Sequence, residues 1–99
     1  MAGRNLKQWS VLFKGLGNIN RLKILKMLAD RKQISVSELA SDLHISLKNT
    51  SRNLGILLNL DLVEYQGRSD RVYYSLSSGL QKDVASIFKI IFWIYLPIL

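Results

Sequence analysis

The side chains best able to trade hydrogen bonds with a ligand's edges fall together in this chain, over Ser46-Leu47-Lys48-Asn49-Thr50-Ser51-Arg52-Asn53. Lys and Arg only donate, Ser and Asn donate and accept, and the run holds no acid to neutralise them. Such a set suits recognition rather than bond breaking. The 99 residues include no cysteine and one histidine, His44, and no carboxylate pair is held near a base. Hydrolase, metal and phosphoryl-transfer constellations are therefore missing, and an enzyme is not expected. Disulfide scaffolds and Cys/His zinc sites are excluded too. No metal or cofactor is expected, and His44 reads as a surface residue.

The flanking periodicity supplies elements to hold this run. Leu39, Ala40 and Leu43 fall on one face of a short helix that Ser37 would cap, with Glu38 in the first turn where the helix dipole favours an anion. Ile45 is a burial-type residue in the turn that follows. Ser46 is a candidate N-cap for a second helix reaching to about Asn59, whose inner face is Thr50, Leu54 and Leu57. Leu47, Lys48, Asn49, Ser51, Arg52 and Asn53 are left outward. The pattern is a helix-turn-helix, in which the first turns of the second helix enter the DNA major groove. Gly55 inside that helix costs up to about 1 kcal/mol of helix propensity, and either permits close packing or is simply tolerated.

Upstream, Leu6, Trp9, Leu12, Phe13 and Leu16 mark an amphipathic helix over about residues 4–16, and its apolar face fits its own core or a partner subunit equally well. Asn18 caps a second helix carrying Leu22, Leu25 and Leu28. Ile34-Ser35-Val36 is a short strand that needs a later hairpin to pair with. That hairpin is Leu62–Gln66 and Val72–Leu76 around the turn Gly67–Arg71, with Arg68, Ser69 and Arg71 at the tip. Directly after a helix-turn-helix, a hairpin is a wing, and its arginines suit the narrow minor groove or its phosphates.

Ser77-Ser78 offers a cap for a last helix over about 79–96, where Pro97 stops it. Val84, Ile87, Phe88, Ile91, Phe92 and Tyr95 form one stripe there, and Ile90, Trp93 and Ile94 spread apolar character around it. Exposed on a monomer, that face has the size that marks an interface. Dimerisation through it is the leading reading, with attachment to a membrane surface second.

The net charge of +7 favours a polyanionic partner, but it is unevenly placed. Residues 1–36 hold eight basic side chains against Asp30, and residues 37–99 are balanced. Phosphate contacts are therefore expected from the first helices, with Arg21, Lys23, Arg31 and Lys32 as candidates. The start of the chain has no apolar leader run, and Ile90–Leu99 is about half the roughly 20 residues a spanning helix needs. A cytoplasmic location is expected. An effector is not legible, because a ligand pocket and a dimer core share one apolar composition.

The order helix, helix, strand, helix-turn-helix, hairpin, helix resembles the ArsR-type winged helix-turn-helix repressors over nearly the whole chain. Leu16-Gly17-Asn18-Ile19-Asn20-Arg21-Leu22-Lys23-Ile24-Leu25 is similar to the family's L-G-D-P-T-R-L-x-I-L, with Asn for the capping Asp and no Pro. Glu38-Leu39-Ala40 through Ser46 to Leu54 resembles E-L-A-x-x-L-x-[LI]-S-x-x-x-[VT]-S-x-x-L. Leu62-Val63 and Val72-Tyr73-Tyr74-Ser75-Leu76 resemble the wing strands. The resemblance implies one mainly α domain, residues 1–99, with a small β wing in the order α-α-β-α-α-β-β-α.

It also implies a homodimer joined by the first and last helices (Leu6, Trp9, Phe13 and the Val84–Tyr95 stripe), binding a palindromic operator and repressing transcription. Ser46, Leu47, Lys48, Asn49, Ser51, Arg52 and Asn53 would then face the major groove of double-stranded DNA, and Arg68, Ser69 and Arg71 would sit at the wing. Leu47 departs from the polar residue often found there. The family's metal sensors carry L-C-V-C-D-L where this chain has Ile34-Ser35-Val36-Ser37-Glu38-Leu39, so serines stand in both cysteine positions. Metal sensing of that kind is not expected. The competing reading is a winged-helix interaction or architectural module that docks a partner or membrane through its apolar last helix.

Overall fold

Asn5 and Gln8 start the first helix by capping each other. The Asn5 side-chain oxygen accepts the Gln8 N–H at 2.8 Å, and the Gln8 side chain accepts the Asn5 N–H at 2.9 Å. From there the computed structural model describes backbone residues 3–95, with side chains to residue 92. Helix α1 is Leu6–Leu16, and α2, Ile19–Asp30, begins at the expected cap, where Asn18 accepts the N–H groups of Asn20 and Arg21. At the end of α1, Gly15 leaves the space that the Leu60 side chain fills, so a Cβ there would make Leu60 shift.

Strand β1 is Ile34–Ser35, and α3, Val36–Leu43, follows without a loop. Its cap is Ser35 rather than Ser37. Ser35 Oγ accepts the Glu38 N–H at 3.2 Å and donates to Glu38 Oε1 at 3.1 Å. The reason is spacing: Ser35-x-x-Glu38 places serine and glutamate three apart, as a capping box requires, whereas Ser37 adjoins Glu38. His44, at φ 57°, ends α3 in the left-handed region, and Ser46 caps α4 (Leu47–Asn59) by accepting the Asn49 N–H at 3.0 Å.

Strands β2 (Val63–Arg68) and β3 (Arg71–Leu76) form the hairpin, and β1 adds to the free side of β3, giving the antiparallel order β1-β3-β2. Ile34 pairs with Tyr74 and Val63 with Leu76. The strands run further than the residue types suggest. Gly67 pairs with Val72 and Arg68 with Arg71, so the turn shrinks to Ser69-Asp70, with Ser69 at φ 55°. The glycine lies in the ladder, and a serine carries the left-handed backbone.

Helix α5, Lys82–Tyr95, begins later than residue 79. Ser77 and Ser78 do not cap it. Ser77 Oγ accepts the Gly79 N–H at 3.2 Å, closing a local turn, and Ser78 donates from both its N–H and its Oγ to the Glu64 carboxylate. Pro97 lies outside the described residues. The core joins Leu12 and Leu16 of α1, Ile24, Leu25 and Leu28 of α2, and Leu39, Leu54 and Leu57 of the helix-turn-helix. Leu62 and Val63 at the start of the hairpin, and Val84, Phe88 and Phe92 of α5, complete it. Among the described residues the buried polar side chains are Ser35 and Thr50, and both are hydrogen bonded, Thr50 by donating to Ser46 O at 2.9 Å.

Arg4 ties the two ends of the fold together. It pairs with Asp83 at 2.6 Å and lies 5.4 Å over the Trp9 ring. The hydrogen bond from Arg4 is the main cause that holds the Asp83 carboxyl below its ordinary value, with the Val84 N–H and the charge of Arg4 adding to it. A depressed folded-state pKa stabilises the fold above the unfolded value and stops doing so as pH falls through the folded one. Urea midpoints of the wild type and Asp83→Asn should therefore differ near neutrality, and the gap should close as acidification passes below the ordinary carboxylate range. A second outcome concerns Gly55. A Cβ there meets nothing within 4 Å, so Gly55→Ala should stabilise by about 0.5–1 kcal/mol, read as a melting point a few degrees higher.

Candidate nucleic-acid interface

Helix α4 owes its orientation to its buried face. Thr50, Leu54 and Leu57 are all 0 % exposed. With about 100° between successive helical residues, burial of that stripe turns Lys48 and Arg52 nearly opposite to the core. Both are exposed, as are Ser46, Leu47, Asn49 and Ser51. The ion pairs among the described residues are Arg4–Asp83, Lys26–Asp30 and Arg31–Asp42. Neither Lys48 nor Arg52 is neutralised. Leu47, at 57 % exposure, puts an apolar side chain beside these donors.

Asn53 differs from its neighbours. It lies on the flank of α4, half-buried, and its side-chain oxygen accepts a hydrogen bond from Arg21 Nη1 at 2.9 Å. The outward position expected from the sequence is therefore only partly available. Arg21 is turned inward by the same contact and also donates from Nε to Gly15 O. Of the other basic candidates on the first helices, Lys23 and Lys32 are exposed, and Arg31 is held 2.9 Å from Asp42. His44 is exposed in the turn and Ile45 is half-buried.

The wing presents its two arginines unequally. They face each other on the last rung of the hairpin, on either side of Ser69 and Asp70. Arg68 folds back, its guanidinium 5.0 Å over the Tyr73 ring and donating to the Gln33 side chain. Arg71 and Ser69 are exposed. Tyr74, on the same strand, is pushed up from its ordinary pKa by burial and, less, by the neighbouring Tyr65.

The residues expected at a subunit interface divide as well. Leu6 is 87 % exposed and Phe13 54 %, while Trp9 is half-buried and stacks on Phe13 at 5.6 Å between centroids. On α5, Val84, Phe88 and Phe92 fall into this chain's own core, Ile87 and Ile91 are half-buried, and Ile90 is 62 % exposed. Among the described residues the open apolar surface is therefore narrower on α5, and wider on α1, than the stripe alone implies. The side chains of Trp93, Ile94 and Tyr95 lie outside the described residues. Among the described residues, no three His, Asp or Glu side chains are grouped as a metal site would need.

Sequence reasoning missed three contacts here: Arg21 with Asn53, Arg68 with Gln33, and Arg4 with Asp83. Each joins residues more than thirty apart in sequence. No periodic pattern reports such a pairing. The Asn5–Gln8 cap was missed as well, although its three-residue spacing is that of a capping box.

Comparisons with known proteins agree with this geometry. Residues 18–65 match the family model described as bacterial regulatory protein, arsR family. Over 75 residues the chain is 39 % identical to the transcriptional activator HlyU of Vibrio cholerae, covering 76 % of this chain and 68 % of that one. It is 34 % identical to a transcriptional repressor SmtB homolog of Synechocystis, across 80 % of this chain and 62 % of the relative. Among solved structures, the homodimeric winged helix-turn-helix DNA-binding domain of Mb0332 from Mycobacterium bovis superposes with a TM-score of 0.74 at 31 % identity, covering 96 % and 90 % of the two chains. Residue pattern, fold and relatives converge, and the chain belongs to the ArsR family of bacterial transcriptional regulators, with their winged helix-turn-helix fold.

Proposed function

We propose that two copies of this chain bind a palindromic DNA operator, with α4 of each in a major groove and the wing on the flanking minor groove or backbone, and that the bound dimer represses transcription. The observation that carries this reading is the face of α4. Lys48, Asn49, Ser51 and Arg52 are exposed and unneutralised on a helix whose other side is fully buried. Asn49 has the amide to pair with adenine and Arg52 the fork to pair with guanine. Leu47 is placed to meet a thymine methyl. Exposed Lys23 and Lys32 on and after α2, with Arg71 at the wing, supply phosphate contacts.

Dimerisation is supported by the apolar surface left open on α1 and α5, above all Leu6, Phe13 and Ile90, and by a solved relative described as homodimeric. A two-fold dimer presents two α4 helices, and a palindrome mirrors that symmetry. Among the relatives, one is described as a repressor and one as an activator. Repression needs only that the bound dimer cover its site, which favours it for a single small domain. The cytoplasm, where bacterial DNA lies, is the compartment this function requires. No helix of the described residues is long and apolar enough to cross a membrane. Burial of Val84, Phe88 and Phe92 in the chain's own core also removes much of the face that docking a membrane through α5 would use.

Selection from a random duplex library at moderate salt tests the reading. A palindromic sequence should be enriched. On the enriched duplex, Arg52→Ala should cost about 1–3 kcal/mol and relax preference at one base position. Lys48→Ala should lower the salt slope by about one. An unenriched library, or an Arg52→Ala protein that binds as the wild type does, would sink the reading.

A further inference from the structure

The two asparagines of α4 that could reach DNA, Asn49 and Asn53, are not chemically equivalent. Asn49 is exposed. Asn53 is half-buried on the flank facing α2, and its amide meets Arg21 Nη1 at 2.9 Å. A guanidinium has five N–H donors and no acceptor. The Asn53 atom facing it must therefore be the carbonyl oxygen, and the amide plane can take only one of its two orientations. The same guanidinium donates from Nε to Gly15 O at the end of α1. Arg21 is thereby held at two points, and the oxygen it grips is held with it. What Asn53 has wholly free is its NH2 group, a donor; the second lone pair of its oxygen stays on the side turned toward Arg21.

That difference bears on base reading. The bidentate contact of asparagine with adenine uses both edges of the amide: the NH2 donates to N7 while the oxygen accepts from the N6 amino group. An asparagine whose oxygen is directed at a neighbouring helix cannot present both. We propose that Arg21 is a positioning residue for DNA recognition. Its guanidinium commits Asn53 to act as a donor alone, toward a phosphate oxygen or another acceptor on the duplex, and leaves adenine discrimination by α4 to Asn49. The inference rests on the assignment of α4 to the major groove.

Arg21 also joins α1 to the middle of α4. Gly15, whose carbonyl it takes, is the residue on which Leu60 closes, so the end of α1 is gripped on both sides by groups that answer to α4. Arg21 itself does not touch DNA in this scheme and acts only through the asparagine.

The test uses the full-length protein, the duplex enriched by selection and its single-base variants. Asn53→Ala should weaken binding by about fivefold and by the same factor on every variant. Arg21→Lys keeps the positive charge, but an ammonium group lacks the planar fork that serves both oxygens; it should weaken binding about as much as Asn53→Ala does. The double variant should be no weaker than the weaker single one, since both changes remove one contact. Thermal unfolding and sedimentation check that each variant is folded and assembled as the wild type is. If Arg21→Lys does not fold, Asn53→Ala decides: uniform loss supports the proposal, and disappearance of an adenine preference at one position overturns it. Losses that multiply in the double variant overturn it too, because Arg21 would then act independently of Asn53; so does an Arg21→Lys protein that binds like the wild type, because charge alone would then suffice. An unenriched library defeats the DNA-reading assignment and this proposal together, whereas an enriched duplex with multiplying losses defeats this proposal only.

Discussion

Burial of Thr50, Leu54 and Leu57 is the constraint from which the rest of the molecule follows. Each of the two leucines contributes about 1.5–3 kcal/mol by leaving water. The Ser46 cap contributes nearer 1 kcal/mol, and the Gly55 penalty takes away at most about as much. Packing therefore decides how α4 is rotated, and the cap decides only where it starts. Once that rotation is set, helical geometry alone sends Lys48 and Arg52 to the far side. Thr50 fits because its hydroxyl bonds back to Ser46 O, so even the one polar residue of the stripe leaves no donor unpaired.

The surrounding elements serve that rotation. Leu39 and Leu57 share a core with Ile24, Leu25 and Ile34, so α2, α3 and the short strand all press on one side of α4. Val63 and Leu62, which follow it, are buried as well and anchor the hairpin beside it. At the other end of the domain, Arg4 spans from the start of α1 to the start of α5. The two helices with open apolar surface are thus tied to each other by an ion pair, and the end of α1 to α4 by Leu60 and Arg21. The open apolar surface and the exposed face of α4 share one set of contacts rather than separate ones.

Much of this was legible in the residues and some was not, for identifiable reasons. Apolar spacing located α1, α2, α3 and α4, and Asn18 and Ser46 were recognisable caps because a short polar side chain stood directly before each periodic run. Local choices between similar residues were harder. Ser35 precedes α3 and Ser37 lies in its first turn, and the pair Ser77-Ser78 has the same composition as a cap; which serine bonds what depends on where the strand ends and on Glu64, fourteen residues from Ser78. The inner stripe of α5 looked like a partner's surface because a helix face buried in its own domain and one buried in a dimer have the same composition. Only the packing of Val84, Phe88 and Phe92 against the described core separates them. Charge misleads in the same way. The first helices hold most of the positive side chains, yet Arg4, Arg21 and Arg31 are drawn into contacts within the fold.

Those internal contacts leave α4 and the wing tip as the surface on which a duplex would be read. Methylation interference on the selected duplex measures this most directly, because guanine N7 lies in the major groove and adenine N3 in the minor. The expected result is two patches of guanine-N7 interference on one face of the DNA, about 10 base pairs apart from centre to centre. A single patch, or interference confined to the minor groove, would contradict a dimer that reads with α4.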